Sequence, residues 1–472
     1  MTYEFHFMVK FMDKNLTIVV AIVAVVAVVG ASAAIVLTKD GDKDKDVSKS
    51  DVRYTLQIMG NANEDTTIDG KDVTIIEEIL NGNIADWKEY PYADANDDGK
   101  ITDDDLQIVK NLRDRKTGTT VYIVNTSPDN EGNEVRTKAV YPLTKIVPYG
   151  VNIVEPIVSI DGGRCVAAYF AKGYPIQETS MNGIDLKGGS RTIGDAAWKN
   201  FTEADATTHF DAFILTYDAR AQILDTYKED LNTAGIPIIC YPAANPDGEA
   251  SAALTLGFMF GGNSEKLGQK YAEIYENVLD KISATTKDMT DDQKTVYLAM
   301  TMYASICQND STYNTIGNVA GGRAYYTTDG PFKEKYKGTS STASASVEAL
   351  SEIKTTAILN YRSLDQTENA DEVKETMIES FTHENSKGIS FEELLDKSTV
   401  DKSRAYFINN TLPAPVRVAY SAAVLYPDQI TMDWAKSIMQ EFIDEEFTPF
   451  KDKTIGTNII TAFSYSDYKA LS

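Results

Sequence analysis

Two twelve-residue stretches place oxygen-bearing side chains at matching positions, and this repeat constrains the chain more than any other feature. The first reads Asn61-Ala-Asn63-Glu-Asp65-Thr66-Thr67-Ile68-Asp69-Gly-Lys-Asp72. The second reads Asp94-Ala-Asn96-Asp-Asp98-Gly99-Lys100-Ile101-Thr102-Asp-Asp-Asp105, starting 33 residues later. Oxygen side chains fall at loop positions 1, 3, 5, 9 and 12. That spacing wraps a tight loop around a calcium ion, with Thr67 and Lys100 at position 7 offering backbone carbonyls. Ile68 and Ile101, at position 8, would pair as an apolar clasp. A helical period follows each loop: Val73, Ile76, Ile79 and Leu80, then Leu106, Ile108, Val109 and Leu112. A solvated acidic turn is the alternative, but two loops in register, each leading into a helix, argue against it. Two calcium sites are expected, the second tighter. It keeps a carboxylate at position 1, Asp94, and the turn-permitting Gly99; the first loop has Asn61 and Thr66 there.

Upstream, Leu16 to Thr38 carries no charge. As a helix it spans about 35 Å, enough to cross a bilayer. Lys10 and Lys14 precede it, and Lys39 follows it. Ala31-Ser32-Ala33 resembles a cleavage site, but the apolar run continues through Ile35, Val36 and Leu37, which favours an uncleaved signal anchor. Met8 and Met12 are alternative starts. The expected organisation is a cytoplasmic tail and anchor (1–38), a linker (39–53) and an extracellular bulk, single-pass in the cytoplasmic membrane. Asn-x-Ser/Thr triplets at Asn125, Asn200, Asn309 and Asn409 are compatible with export.

Lys plus Arg number 45 and Asp plus Glu 70, a net charge of −25, which argues against a nucleic-acid partner. Cys165, Cys240 and Cys307 make no disulfide framework and contain no C-x-x-C. The only histidines, His6, His209 and His383, sit in contexts that do not suggest catalysis.

The duplicated loops resemble a type I dockerin, over 54–118. Asp72 and Asp105 at position 12, where a full EF-hand has Glu, fit that family. The resemblance implies a small all-α module binding calcium and a cohesin partner, read through positions 10 and 11. Those are Gly70 and Lys71, then Asp103 and Asp104.

From Thr119 the texture becomes α/β: the strand-like TVYIVN, buried-strand patterns at Ile153-Val154, Phe213–Leu215 and Ile236–Cys240, then helical periodicity from Glu249 to Thr285. A second α/β stretch opens at Thr295. Several segments in order resemble class III periplasmic-type substrate-binding proteins of ABC importers. They are Ile193-Gly-Asp195 with Asn200-Phe-Thr-Glu203 and Asp211–Leu215, Gly235-Ile-Pro237, Leu256-Gly through Glu265, Ile316-Gly317 through Gly322, Ser346-Val-Glu348, and Arg404–Ile408 with Ala422–Pro427. Phe210 stands where the family has Pro, and Arg323 where Asn is commoner.

The resemblance implies two α/β lobes, 119–248 and 287–450, joined by a helical segment at 249–286, with a C-terminal tail at 451–472. The ligand would be an iron chelate, haem, cobalamin or metal oxyanion. Glu203 and Glu348, each expected at a helix start, would dock on the ABC permease. Cleft candidates after strand ends are Trp198, Tyr217, Arg220, Arg323, Tyr325 and Tyr326, since Arg with Tyr suits an anionic chelate. A cohesin-attached surface assembly protein is one alternative, and a dockerin-tethered carbohydrate-active enzyme another. No G-x-S-x-G, H-E-x-x-H or recognisable hydrolase carboxylate pair supports an enzyme.

Overall fold

The computed structural model describes residues 48–125, 134–170, 180–188, 193–216, 223, 226–241, 245–301, 304–307, 311–325, 342–344, 346–347, 355–364, 369–397 and 401–471. The expected anchor lies outside them, as do most of the linker, Tyr217, Arg220, Tyr326 and Glu348. Among the described residues no helix is long and apolar enough to cross a membrane.

The repeat folds as two loop-helix units, with helices α1 (Gly70–Leu80) and α2 (Asp103–Arg113) packed together. Loop position 9 is the N-cap of each helix, and position 12 is its third residue. Asp69 with Asp72, and Thr102 with Asp105, form reciprocal capping boxes. The oxygen pattern therefore also dictates where each helix starts. Ile68, Ile75, Ile76, Val109 and Leu112 are fully or almost fully buried. Each such side chain contributes about 1.5–3 kcal/mol on burial.

Strand β1 (Thr119–Asn125) pairs antiparallel with β2 (Val135–Tyr141). The free edge of β1 receives residues that precede the first loop. Met59 N donates to Tyr122 O at 2.9 Å, and Val124 N donates to Gln57 O at 3.0 Å. Asn125 Oδ1 accepts from Cys240 N at 3.0 Å, which ties the hairpin to the first lobe.

That lobe holds a parallel sheet, β3 (Ile146–Tyr149), β4 (Ala212–Thr216) and β5 (Ile238–Tyr241), with β4 central. Every residue of β4 is buried, as expected for a strand covered on both faces. Helices α3 (Val151–Ser159), α4 (Asp195–Thr208) and α5 (Lys228–Ala234) belong to the same lobe. Ile153-Val154, expected as strand, lies in α3. Its β-branched residues suggested a strand, but apolar positions 153, 154, 157, 158 and 160 follow a helical period and all are buried.

The segment expected at 249–286 is two helices, α6 (Pro246–Phe260) and α7 (Asn263–Thr286). Gly261 and Gly262, at φ +68° and +62°, make the turn between them. The helices approach closely where Gly257 meets Gly268: a Cβ on Gly268 would sit 2.5 Å from Ala253 O.

In the second lobe β6 (Val296–Thr301), β7 (Ser305–Cys307), β8 (Arg323–Ala324), β9 (Thr342–Ser344), β10 (Ala357–Arg362), β11 (Ala405–Asn409) and β12 (Ala462–Ser464) form one sheet. Its order is β9-β7-β6-β10-β11-β12, with β8 also on β6. β6, β8, β10 and β11 run parallel. Helices α8 (Thr312–Val319) and α9 (Ala370–Thr382) precede α10 (Phe391–Lys397), α11 (Ala414–Leu425) and α12 (Met432–Asp444). The expected tail at 451–472 instead closes the sheet. Phe463 is buried in β12, antiparallel to β11, and Tyr465 and Tyr468 of α13 (Tyr465–Lys469) stack into the lobe core around Phe381.

One apolar cluster runs without interruption from Leu56 and Ile76 of the module, through α3, α6 and α7, to α11 and α12.

Candidate functional site

In the first loop, Asn61 is fully buried. Its amide nitrogen donates to Leu56 O at 2.9 Å and to Asp65 O at 2.8 Å. Its Oδ1 is buried without a hydrogen-bond partner. Leaving a buried carbonyl oxygen bare costs about 1–3 kcal/mol, and a cation at loop position 1 would remove that cost. Asp72, also fully buried, accepts from Asn63 N at 3.1 Å and Asp69 N at 2.7 Å. Burial pushes its carboxyl up to about 7, against the pull of those two N–H groups. A bound cation would act in the opposite direction, favouring the carboxylate. Asp65 Oδ1 accepts from Thr67 N at 2.8 Å, so the position-5 side chain braces position 7.

The second loop repeats this pattern with more exposure. Asp94 accepts from Asp98 N at 3.1 Å and Gly99 N at 2.8 Å. Asp105 accepts from Asn96 N at 3.1 Å and Thr102 N at 2.8 Å, and Asp98 accepts from Lys100 N at 3.0 Å. Burial raises the Asp94 carboxyl. Gly99 has φ +83°, the left-handed turn that glycine permits, while Thr66 is not in that region. Among the described residues no three His, Cys, Asp or Glu side chains converge closely enough to hold a metal ion. The loop carboxylates are turned onto backbone N–H groups instead. The donor set of Asn61, Asn63, Asp65, Asp69 and Asp72, and of Asp94, Asn96, Asp98, Thr102 and Asp105, with carbonyls at Thr67 and Lys100, fits a hard, oxygen-seeking cation. Bound there, such an ion would supply the positive charge that these buried oxygens lack.

The module does not hang on a free linker. Tyr54 OH donates to Asp247 Oδ1 at 2.6 Å, and its ring stacks on Tyr275 at 5.5 Å. Arg53 N donates to Glu276 Oε1 at 2.8 Å. Arg115, just past α2, donates through Nε to Glu265 Oε2 at 2.9 Å and lies 4.5 Å above the Phe258 ring.

Between the lobes lies a second buried polar group. Arg417 at the start of α11 pairs with Glu249 at the start of α6, and both are almost wholly buried. Arg417 Nη1 donates to Asn410 Oδ1 at 3.2 Å. Glu155 of α3 accepts from Ser159 Oγ at 2.6 Å and from Tyr271 OH at 3.0 Å, and that hydroxyl accepts from Ala414 N at 3.0 Å. Burial, with the charge of Glu249 adding to it, pushes Glu155 upward. The sequence signal for this cluster is charge inside apolar helices, as in VNIVEPIVSI.

Trp198, expected on a cleft wall, is a core residue. Its ring stacks on Tyr227 at 3.9 Å and Phe201 at 4.6 Å, and Nε1 donates to Asp230 at 2.8 Å. Arg323 opens β8 beside Val296, the N-terminal end of β6, and reaches Asp292 at 3.7 Å. That parallel register puts it at the end of the sheet opposite the C-terminal strand ends, where ligands of parallel sheets sit. Tyr325 joins the second lobe's core. Glu203 is the ninth residue of α4 rather than at its start, exposed and 3.6 Å from Lys199.

Residues 60–112 match the dockerin type I domain model. Sequence comparison with curated proteins gives no match. A TroA-like periplasmic binding protein, FepB from Veillonella parvula, superposes with TM-score 0.50 at 14% identity, covering 71% of this chain and 97% of that one. The molybdate-binding MolA of Haemophilus influenzae follows at TM-score 0.46 and 10% identity, covering 69% and 97%. A periplasmic haem-binding protein of Pseudomonas aeruginosa gives 0.40 at 17% identity, covering 60% and 93%. Residues 60–112 are thus a dockerin type I domain, joined to a body with the fold of TroA-like periplasmic binding proteins.

Proposed function

We propose that this chain is the membrane-anchored, extracellular solute-binding protein of an ABC importer, stabilised by calcium in its dockerin domain. The observation that carries this reading is the architecture: two α/β lobes linked through the helices α6 and α7, on a fold shared with a periplasmic binding protein. A helical spine of this kind favours capture of a solute between lobes with little hinge motion. The solute class is an iron chelate, haem, cobalamin or metal oxyanion, and the chain performs no chemistry on it. Native mass spectrometry of the chain released from membranes tests this. One small molecule of that class per chain is expected, and a mass explained by polypeptide and calcium alone after growth on each candidate solute would count against it.

Docking on the permease falls to Glu203 and Glu348, one per lobe. Reversing both, Glu203→Lys with Glu348→Lys, is expected to abolish uptake while solute affinity of the free protein stays unchanged. Uptake at the normal rate would remove these two residues from the account.

One observation favours a cohesin partner as well. Gly70, Lys71, Asp103 and Asp104, at positions 10 and 11 of the two loops, are all exposed. Pull-down with a panel of cohesins would identify a match.

A further inference from the structure

We infer that calcium in the first loop holds the interlobe helix α7, so that the ion orders the solute-binding body and not the small domain alone. The inference rests on the calcium reading of the loops given above. It goes beyond that reading in naming what the ion acts on.

The contacts from α7 converge on the segment of the loop that carries its backbone ligand. Gln269 Nε2, on α7, donates to Thr66 O at 3.3 Å. Arg115 Nη1 donates to Ile68 O at 3.1 Å, and Nη2 to Thr67 Oγ1 at 3.2 Å. The same guanidinium is forked onto Glu265, in the first turn of α7. Positions 6 and 8 of the loop are thus held by carbonyls that flank the position-7 carbonyl, Thr67 O, which the loop pattern aims at the ion. Peptide units are rigid planes. An ion that fixes the Thr67 carbonyl therefore narrows the orientations of the Thr66 and Ile68 carbonyls, which are the acceptors for Gln269 and Arg115.

The buried Oδ1 of Asn61 without a partner is the independent sign that this loop awaits a ligand. The fork is partly shielded, with side-chain exposures of 27% for Arg115 and 16% for Glu265, so it is screened less than a surface pair. The second loop is built differently. Its described tie to the body is Arg136 on Asp97, at loop position 4 and from β2. Coupling through the first loop is also reciprocal: an intact contact with α7 must raise the calcium affinity of that loop by the factor with which calcium steadies α7.

Hydrogen exchange on the full-length chain in mild detergent, with and without calcium, tests this beside calorimetric titration with calcium chloride. Calcium is expected to slow exchange across Asn263–Thr286 by about fivefold or more, the lower end of ordinary coupling between sites. In Glu265→Gln with Gln269→Ala the second loop should still titrate normally, and the slowing in α7 should vanish. Gln269→Ala alone, the milder change, should give a partial loss if the double variant folds poorly. Slowing confined to 60–112, or equal slowing in native and double variant, would overturn the inference. Absence of any calcium heat would remove the calcium reading itself and the inference with it, and the two failures are told apart by the titration.

Discussion

Asp72 in the first loop and Glu249 between the lobes face the same physical problem: each carboxylate is almost completely withdrawn from water. They resolve it differently. Glu249 is paired with Arg417, a cation supplied by the chain from 168 residues away. Asp72 has backbone N–H groups of Asn63 and Asp69 for its described partners, so its charge is relieved by a proton or by a cation taken from solution. With calcium in the first loop, as proposed, one junction of this protein is locked by the chain's own charges, while the other is completed by an ion.

The largest expected effect is at the Arg417–Glu249 junction. Arg417→Met leaves Glu249 charged and alone beside Glu155, and should lower stability by about 3–5 kcal/mol. Denaturant unfolding should give this loss equally with and without calcium, and recovery on adding calcium would break the contrast. Calcium removal comes next. Raising free calcium to a hundred times the dissociation constant of a site should stabilise the folded chain by about 2.7 kcal/mol, and a chelator should remove this. Calorimetry should resolve two unequal sites, with Asp94→Ala abolishing the tighter and Asp65→Ala the weaker. A single site lost with Asp65→Ala and indifferent to Asp94→Ala would reverse the assignment.

A smaller effect is expected in the pH dependence. Glu155 has a folded value raised above the unfolded carboxyl value, so the fold prefers its protonated form. Its favourable contribution is complete below about pH 4.3 and is lost as pH rises toward the raised value. Glu155→Gln copies the protonated form. It should flatten the pH dependence above that point, by no more than about 1.4 kcal/mol per pH unit, in thermal melts at several pH values. A variant that falls with pH as steeply as the native chain would exclude Glu155 as the titrating group. The smallest change is at the exposed pair Lys199–Glu203, where Glu203→Gln should alter stability by less than about 1 kcal/mol. A larger loss would make Glu203 a structural residue.

The calcium loops were legible in the sequence because ion coordination fixes residue types at set positions within twelve residues. β1, β4 and β5 were legible because buried strands read as short apolar runs bounded by turn residues. α3 was misread because its Val and Ile favour strand locally while the helical period only emerges over ten residues. The last strand, β12, was missed because three residues carry little pattern, and their role comes from pairing with β11. The seat of the small domain on α7 could not be read at all. It depends on Arg115 meeting Glu265 across 150 residues, and nothing local to either residue encodes that meeting. Trp198 shows the limit of motif position: being near a turn suggested a cleft wall, whereas four neighbouring aromatic rings hold it in the core.

If the body delivers a captured solute to an importer, uptake measured in cells with and without this chain depends on it. Using the labelled solute that co-purifies with the chain, cells lacking it should lose high-affinity uptake, and restoring the chain should restore the rate. Uptake at the same rate and concentration dependence in both strains would contradict the account.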